Sequence, residues 1–254
     1  MALWLPDINR IKMNICVAQI KSVAGDVEAN ITKHKQYIDM AVVNNADIIV
    51  FPELSLTGYE PTLAKKLATG TEDSRFKDFQ KISDQQHIRV AVGMPLKNNN
   101  GVSISMLIFQ PQQPLLVYGK QHLHPDEEPF FVSGEGGPAL VLEDKKIAFA
   151  ICYEVSMPGH AANAFHAGAN VYIASVAKTR KGVAHALKNL SDIAGMYTMT
   201  ALMSNCVGIC DGVECAGRSS VWNNQGLLID QLDEAKEGLL IYDMNLRSTK
   251  RINP

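Results

Sequence analysis

The sequence predicts an α/β architecture in which two β-sheets pack face to face and helices cover their outer faces. Three observations carry this expectation. Strand-like and helix-like segments alternate from Asn14 to about Gly93 and again from Lys145 to about Asn205. The helices are confined to those two regions, and the strand-like segments outnumber what one small sheet holds. In chain order, NICVAQI from Asn14 reads as a strand, and Glu28 to Asn44 sets Ile31, Ile38, Ala41 and Val42 on one helical face. DIIVF, Asp47 to Phe51, is a continuous apolar run, as expected of a strand buried on both faces. A second helix is expected from about Glu72 to Gln86, with Thr71 as N-cap, acids in its first turn and Phe76, Phe79 and Ile82 inward. IRVAVG, VSISMLIF and PLLVYG follow as strands, separated by the turn sequences NNNG and PQQP. KIAFAIC and NVYIAS are buried strands, with helices between Pro158 and Gly168 and between Val183 and Thr198. ALMSNCVG, GRSSVW, GLLID and GLLIYD close the chain as strands, with Asn223, Asn224 and Gly226 at a hairpin turn. A single domain over residues 1–254 is expected, with 1–13 as an N-terminal extension and 246–254 as a C-terminal tail.

Composition narrows the function. The 254 residues are 46% hydrophobic and 20% charged, enough for one large core. Lys plus Arg number 24 against 26 Asp plus Glu, a formal charge of -2, so there is no positive field to collect phosphates and nucleic acid is not expected as a partner. No stretch approaches the roughly 18 apolar residues of a spanning helix. Pro6, Asp7 and Arg10 interrupt the opening MALWLPDINR, so neither a signal peptide nor a membrane anchor is expected. The five cysteines, Cys16, Cys152, Cys206, Cys210 and Cys215, are too few and too uneven for a disulfide scaffold, and they read as free thiols of a cytoplasmic protein.

Three reactive side chains follow predicted strands directly: Glu53 after DIIVF, Lys120 after LLVYG and Cys152 at the end of KIAFAIC. Strand ends in α/β folds are where a rigid scaffold presents chemistry. A thiol attacks as thiolate, so it needs a neighbouring base or a positive environment to bring its pKa down from roughly 8.5. Glu53 could accept that proton. The Lys120 ammonium could stabilise negative charge building on the oxygen or nitrogen of an attacked carbonyl or nitrile. Taken singly, such an acid or lysine is more often solvated, and an apolar-flanked cysteine is more often core.

The surrounding words are more specific. FPELSLTGYEP, YGKQHL and ICYE, in that order and spacing, resemble the motifs of the nitrilase superfamily, the carbon-nitrogen hydrolases, in a likeness running from about Asn14 to Asn245. The resemblance implies a Glu-Lys-Cys triad at Glu53, Lys120 and Cys152, a covalent thioester intermediate, and neither a metal nor an organic cofactor. It also implies a four-layer αββα sandwich of two mixed β-sheets flanked by helices, in line with the two-sheet expectation, that forms a homodimer or higher homo-oligomer. Many members carry a second glutamate that positions substrate and holds the lysine, in a pattern like E-x-x-aromatic-aromatic-x-x-G. EEPFFVSG puts Glu127 on that pattern, followed by Phe130, Phe131 and Gly134. Glu128 is the neighbouring alternative, and a solvated acidic turn is the plain one.

In the implied cycle Glu53 takes the proton of Cys152, while Lys120 and the backbone N–H of Tyr153 hold the oxyanion. True nitrilases usually follow the nucleophile with Trp and Glu, many amidases with Tyr and an acid. Tyr153 and Glu154 therefore point to an amidase acting on a small-molecule amide. The Arg that many dicarboxylate-monoamide and N-carbamoyl hydrolases carry after the cysteine has no counterpart in Val155 to Pro158. SVAKTRK offers Lys178 or Arg180 to face an anionic substrate, with a solvated basic loop as the plain alternative. Nitrile hydrolysis, N-acyl transfer, or a Cys-His peptidase using His122, His160 or His166 are the competing activities.

Three further constellations carry little. His122, His124 and Asp126 alternate along the chain as a metal site might require, but no fourth ligand is placed by sequence, and His122 reads as structural. Cys206, Cys210 and Cys215 lack paired C-x-x-C spacing and read as buried strand thiols instead of a zinc site. GEGGP, Gly134 to Pro138, lacks the ending of a phosphate loop and reads as a turn.

Overall fold

Alternate side chains of β1 (Asn14–Gln19) enter two different apolar layers, Ile15 and Val17 one way, Cys16 and Ala18 the other. That division is possible because the strand lies at the centre of a sheet covered on both faces. The computed structural model describes residues 13–254; the expected extension at 1–13 lies outside these residues except for Met13, and so does the opening segment MALWLPDINR. The first half continues through α1 (Val27–Val43), β2 (Ile48–Val50), α2 (Ala64–Leu67), α3 (Lys77–Gln86), β3 (Arg89–Asn98), β4 (Gly101–Phe109) and β5 (Leu116–Gly119). The second half begins with β6 (Leu140–Leu142), β7 (Lys145–Ile151), α4 (Pro158–His166), β8 (Val171–Val176), α5 (Arg180–Tyr197) and β9 (Thr200–Asn205). It closes with β10 (Val207–Cys210), β11 (Val213–Ala216), β12 (Ser220–Trp222), β13 (Leu228–Gln231), β14 (Gly238–Asp243) and β15 (Ser248–Ile252).

Two mixed sheets result. One has the order β15-β14-β1-β2-β3-β4-β5, the other β13-β12-β9-β8-β7-β6, and β10 pairs with β11 as a separate hairpin. The runs β1-β2-β3 and β7-β8-β9 are parallel, joined by helical crossovers. One core lies between the sheets and continues under α4 and α5; the other lies between the outer face of the first sheet and α1 and α3. This is the α/β sandwich expected, two mixed sheets flanked by helices. Cross-sheet hydrogen bonds fix the stacking, from Ser175 Oγ to the Phe51 carbonyl (2.8 Å) and from Ser204 Oγ to the Ala18 carbonyl (2.7 Å).

Local differences from the sequence expectation have identifiable causes. Thr71 is not the cap of the second helix. Asp73 is: its carboxylate accepts the Arg75 N–H and is paired with the Arg75 guanidinium, opening a short turn at Ser74–Phe76 before α3. Helix α5 begins three residues before Val183, at Arg180. The strand expected at ALMSNCVG breaks after Asn205, because the chain turns into the β10–β11 hairpin. The segment expected as a tail contains β15, a polar edge strand paired with β14.

The two sheets deliver their reactive ends to one place. β5 runs parallel to β3, so Lys120 after β5 and Glu53 after β2 emerge at the same edge of the first sheet. The loop carrying Glu53 lies against Gly93 so closely that a Cβ there would sit 2.3 Å from the Leu54 nitrogen and 2.8 Å from the Pro52 carbonyl. Gly93→Ala is therefore expected to cost about 1–3 kcal/mol through overpacking against backbone. Urea unfolding of the variant beside the wild type measures this, and an unchanged midpoint would contradict it.

Candidate active site

Glu53 stands in a tight loop that α1 holds from behind. Asn30, buried in that helix, donates to the Leu56 carbonyl (3.1 Å), and His34 reaches Ser55 Oγ (2.9 Å). The 2.6 Å contact of His34 Nδ1 with the Asn30 carbonyl puts the proton on Nδ1, so Nε2 accepts from the Ser55 hydroxyl, which in turn accepts the Gly93 N–H. Burial lowers the His34 pKa to about 3, so the ring is neutral and serves as a spacer. The loop's own hydrogen bonds, Phe51 N–H to the Ala91 carbonyl and Leu56 N–H to the Gly93 carbonyl, lock it to β3.

Lys120 is fully buried and its ammonium lies between two carboxylates, 2.7 Å from Glu53 Oε1 and 2.6 Å from Glu127 Oε1. Its backbone is pinned where Gly134 crosses Gly119, an approach so close that a Cβ on Gly134 would lie 2.6 Å from the Gly119 Cα. Glu127 is fully engaged: Tyr59 OH donates to Oε1 (2.9 Å) and the His124 N–H to Oε2 (2.8 Å). Glu128, the alternative, is exposed. Glu53, in contrast, has Oε2 buried without a hydrogen-bond partner at ordinary distance, although the Cys152 thiol interacts with this carboxyl. Burial raises the Glu53 pKa above the usual carboxylate range, with Lys120 pulling it down only in part and Glu127 pushing it up.

Cys152 directly follows β7 with φ +49°, a left-handed conformation that costs a non-glycine residue about 1–3 kcal/mol. Burial and the nearby Glu53 push its thiol up to about 11, against the pull of Lys178 and Lys120. Lys178 follows β8, and its ammonium faces Cys152, whose charge raises the lysine's own pKa. Asn205 clamps the Lys178 backbone, accepting its N–H at 2.8 Å and donating to its carbonyl at 3.2 Å. Arg180 points elsewhere, exposed near Glu214 and Glu234.

Glu154, buried at the first turn after Cys152, is a residue the sequence reading did not assign to the site. It accepts the N–H groups of Gln121 (2.6 Å) and Ile151 (2.7 Å) and the hydroxyl of Tyr118 (2.8 Å). One carboxylate thus ties the backbone after Lys120 to the backbone before Cys152. The acid in ICYE was its only sequence signal. His160 contacts the hydroxyls of Tyr118 and Tyr172 (both 2.7 Å), and His122 and His166 are exposed, so none of the three is engaged with Cys152. His124 pairs with Asp126, while His122 packs edge-on to His160, so these three do not converge on a metal geometry.

A cavity of about 250 Å³ opens above Cys152, with Tyr59, Glu127, Tyr153 and Lys178 in its walls. Glu53 and Lys120 are behind the wall. Tyr153 stands edge-on to His124 with ring centroids 5.0 Å apart. A larger hollow of about 490 Å³ near Phe76 and Pro114 contains none of these groups. Chemically the cavity presents the Cys152 thiol and the Lys178 ammonium, with the Glu53 carboxyl and the Lys120 ammonium buried behind them.

The model of the carbon-nitrogen hydrolase family matches residues 14–253. The chain belongs to the carbon-nitrogen hydrolase family. Among carbon-nitrogen hydrolases it is 27% identical to a probable nitrilase of Schizosaccharomyces pombe, over 94% of this chain and 91% of that protein. It is 24% identical to the 2-oxoglutaramate amidase of Bacillus subtilis, over 95% and 94%. The fold matches the amidase of Nesterenkonia sp. AN1, in a Cys-to-Ala variant with butyramide, with a TM-score of 0.84 and 22% identity over 92% of both chains. Among the described residues, no helix of this carbon-nitrogen hydrolase is long and apolar enough to cross a membrane.

Two outcomes check this geometry. Alkylation of Cys152 by iodoacetamide, followed on its own peptide by mass spectrometry, should keep rising with pH toward a midpoint near 11. Glu53→Gln removes a negative neighbour that disfavours the thiolate, so its midpoint should fall; an unchanged midpoint would separate the two groups. Glu154→Gln puts an amide N–H₂ against groups that donate, and is expected to cost about 1–3 kcal/mol. Urea unfolding reads the loss, which Glu154→Asp should not restore because the shorter chain cannot span both loops.

Proposed function

We propose that the chain is an amidase that hydrolyses a small linear amide through a thioester on Cys152. The observation that carries this reading is the Cys152 thiol at the cavity floor, interacting with a buried carboxyl, Glu53, whose Oε2 has no other hydrogen-bond partner. As the sulfur attacks the amide carbon, Glu53 takes the thiol proton and the carbon-oxygen π pair moves onto oxygen. Lys120 and the N–H of Tyr153 stabilise that oxyanion. The tetrahedral adduct collapses, the carbon-nitrogen bond breaks, and Glu53 returns the proton to the leaving nitrogen, releasing ammonia or an amine. Water then adds to the thioester with Glu53 again as base, and the carboxylic acid leaves as sulfur regains its proton.

The raised pKa of Glu53 suits this cycle, because a proton received from the thiol is retained long enough to be handed to nitrogen. Lys178 adds a second positive charge beside the sulfur and accommodates a negative acyl group. The relative named as a 2-oxoglutaramate amidase supports the reading, as does the description of the Nesterenkonia enzyme with butyramide. A nitrile substrate is the second reading, favoured by the relative named as a probable nitrilase. A cytoplasmic homodimer is part of the same proposal, and light scattering of the purified chain tests its assembly.

Matched amide and nitrile pairs across several acyl groups decide between substrates, since the ratio of kcat/KM values cancels most acyl preference. The amide should win consistently; a consistent nitrile preference would overturn the amidase reading. On the preferred amide, Cys152→Ala and Glu53→Gln should abolish turnover. Lys120→Arg should lose on the order of 100-fold or more in kcat, because a planar guanidinium cannot take the place of a compact ammonium held by two carboxylates. A few-fold effect would reduce Lys120 to a distant counter-charge.

A further inference from the structure

The β10–β11 hairpin brings together three thiols that the sequence separates and whose spacing alone suggests buried strand residues. Cys206 lies just past β9, Cys210 ends β10 and Cys215 lies in β11. Antiparallel pairing sets Cys210 opposite Val213 and Gly208 opposite Cys215, which folds all three sulfurs inward. The three Sγ atoms lie within 4.8 Å of one another, and those of Cys206 and Cys210 are 3.4 Å apart. Among the described residues this is the only such convergence of His, Cys, Asp or Glu ligand atoms. Cys210 and Cys215 also line the cavity above Cys152.

We propose that Cys206, Cys210 and Cys215 form a three-thiolate site for a soft, thiophilic metal ion in the wall of that cavity. Three sulfurs bound to one ion at roughly 2.3 Å in a trigonal arrangement stand about 4 Å apart, a spacing that small side-chain rotations reach from the observed positions. Soft thiolate sets select thiophilic ions such as Cu(I), Zn(II) or Cd(II) over oxygen-seeking ones. Binding of a divalent ion to the three thiols forms three metal-sulfur bonds and releases the thiol protons, with no change in oxidation state.

The site touches the catalytic cavity through two connections. Tyr59 offers its N–H to Cys210 and its hydroxyl to Glu127, and the Ala216 N–H beside Cys215 donates to the Lys178 carbonyl at 2.9 Å. Ion binding is nevertheless independent of Cys152 and of the amidase reading.

Cadmium is the probe. Titration of the reduced, full-length protein with Cd²⁺, in a non-thiol reductant, should give one ion per chain, an ultraviolet thiolate-to-cadmium charge-transfer band, and release of protons on binding. Cys152→Ala should keep the band and the stoichiometry. Cys210→Ala and Cys215→Ser, each checked for folding by circular dichroism, should lose both. Absence of the band in wild type, its loss in Cys152→Ala, or its retention in folded Cys210→Ala would overturn the proposal. Should the variants fail to fold, the intensity of the wild-type band still decides, because it grows with the number of sulfurs bound, and a band of single-thiolate intensity would overturn the proposal.

Discussion

A buried ammonium shared by two carboxylates is the constraint around which this site is arranged. Lys120 has no access to solvent, and removing an ion of its size from water costs several kcal/mol unless partners replace the hydration. Glu53 and Glu127 both supply that replacement, but on different terms. Glu127 has a tyrosine hydroxyl and a backbone N–H besides the lysine; Glu53 has the lysine and one oxygen left over. The same cation therefore fixes one carboxylate as a brace and leaves the other available to receive a proton. Two acids of similar chemistry acquire different roles from their surroundings alone.

The parts legible in the sequence were those whose signal is local. Glu53, Lys120 and Cys152 each follow a strand that is visible as an apolar run, and the words around them carry the family resemblance. The aromatic and glycine spacing points to Glu127, and the structure separates it from Glu128 by burial. Glu154 and Asn205 were not assigned, because their work is to accept or donate across residues far apart in sequence, from Gln121 to Ile151 and from Lys178 to Gly217. No spacing rule encodes such contacts. β15 was missed because STKRI is polar, as an edge strand facing solvent tends to be. The cysteine cluster was hidden for a related reason: C-x-x-C logic assumes that ligands adjoin in sequence, whereas a hairpin register brings residues 206, 210 and 215 together.

Positioning in this molecule depends on backbone as much as on side chains. Gly93 and Gly134 mark points where one main chain rests directly on another, beneath the Glu53 loop and beside Lys120. A reactive group mounted on such contacts has little freedom to drift, since any displacement must move a strand. The left-handed backbone of Cys152 adds a local strain that the Glu154 carboxylate, bound to the adjacent Ile151 N–H, helps to maintain.

Glu53 and Lys120 belong to one sheet and Cys152 to the other. The cavity chemistry therefore exists only in one lateral alignment of the two layers, set by polar pins such as Ser175 to Phe51 between otherwise slippery apolar faces. Such faces resist separation far more than sliding, because a small slide keeps most apolar area covered. The sandwich thus behaves as a vernier: a shift too small to disturb either sheet, or to register as unfolding, is enough to part the sulfur from its carboxylate.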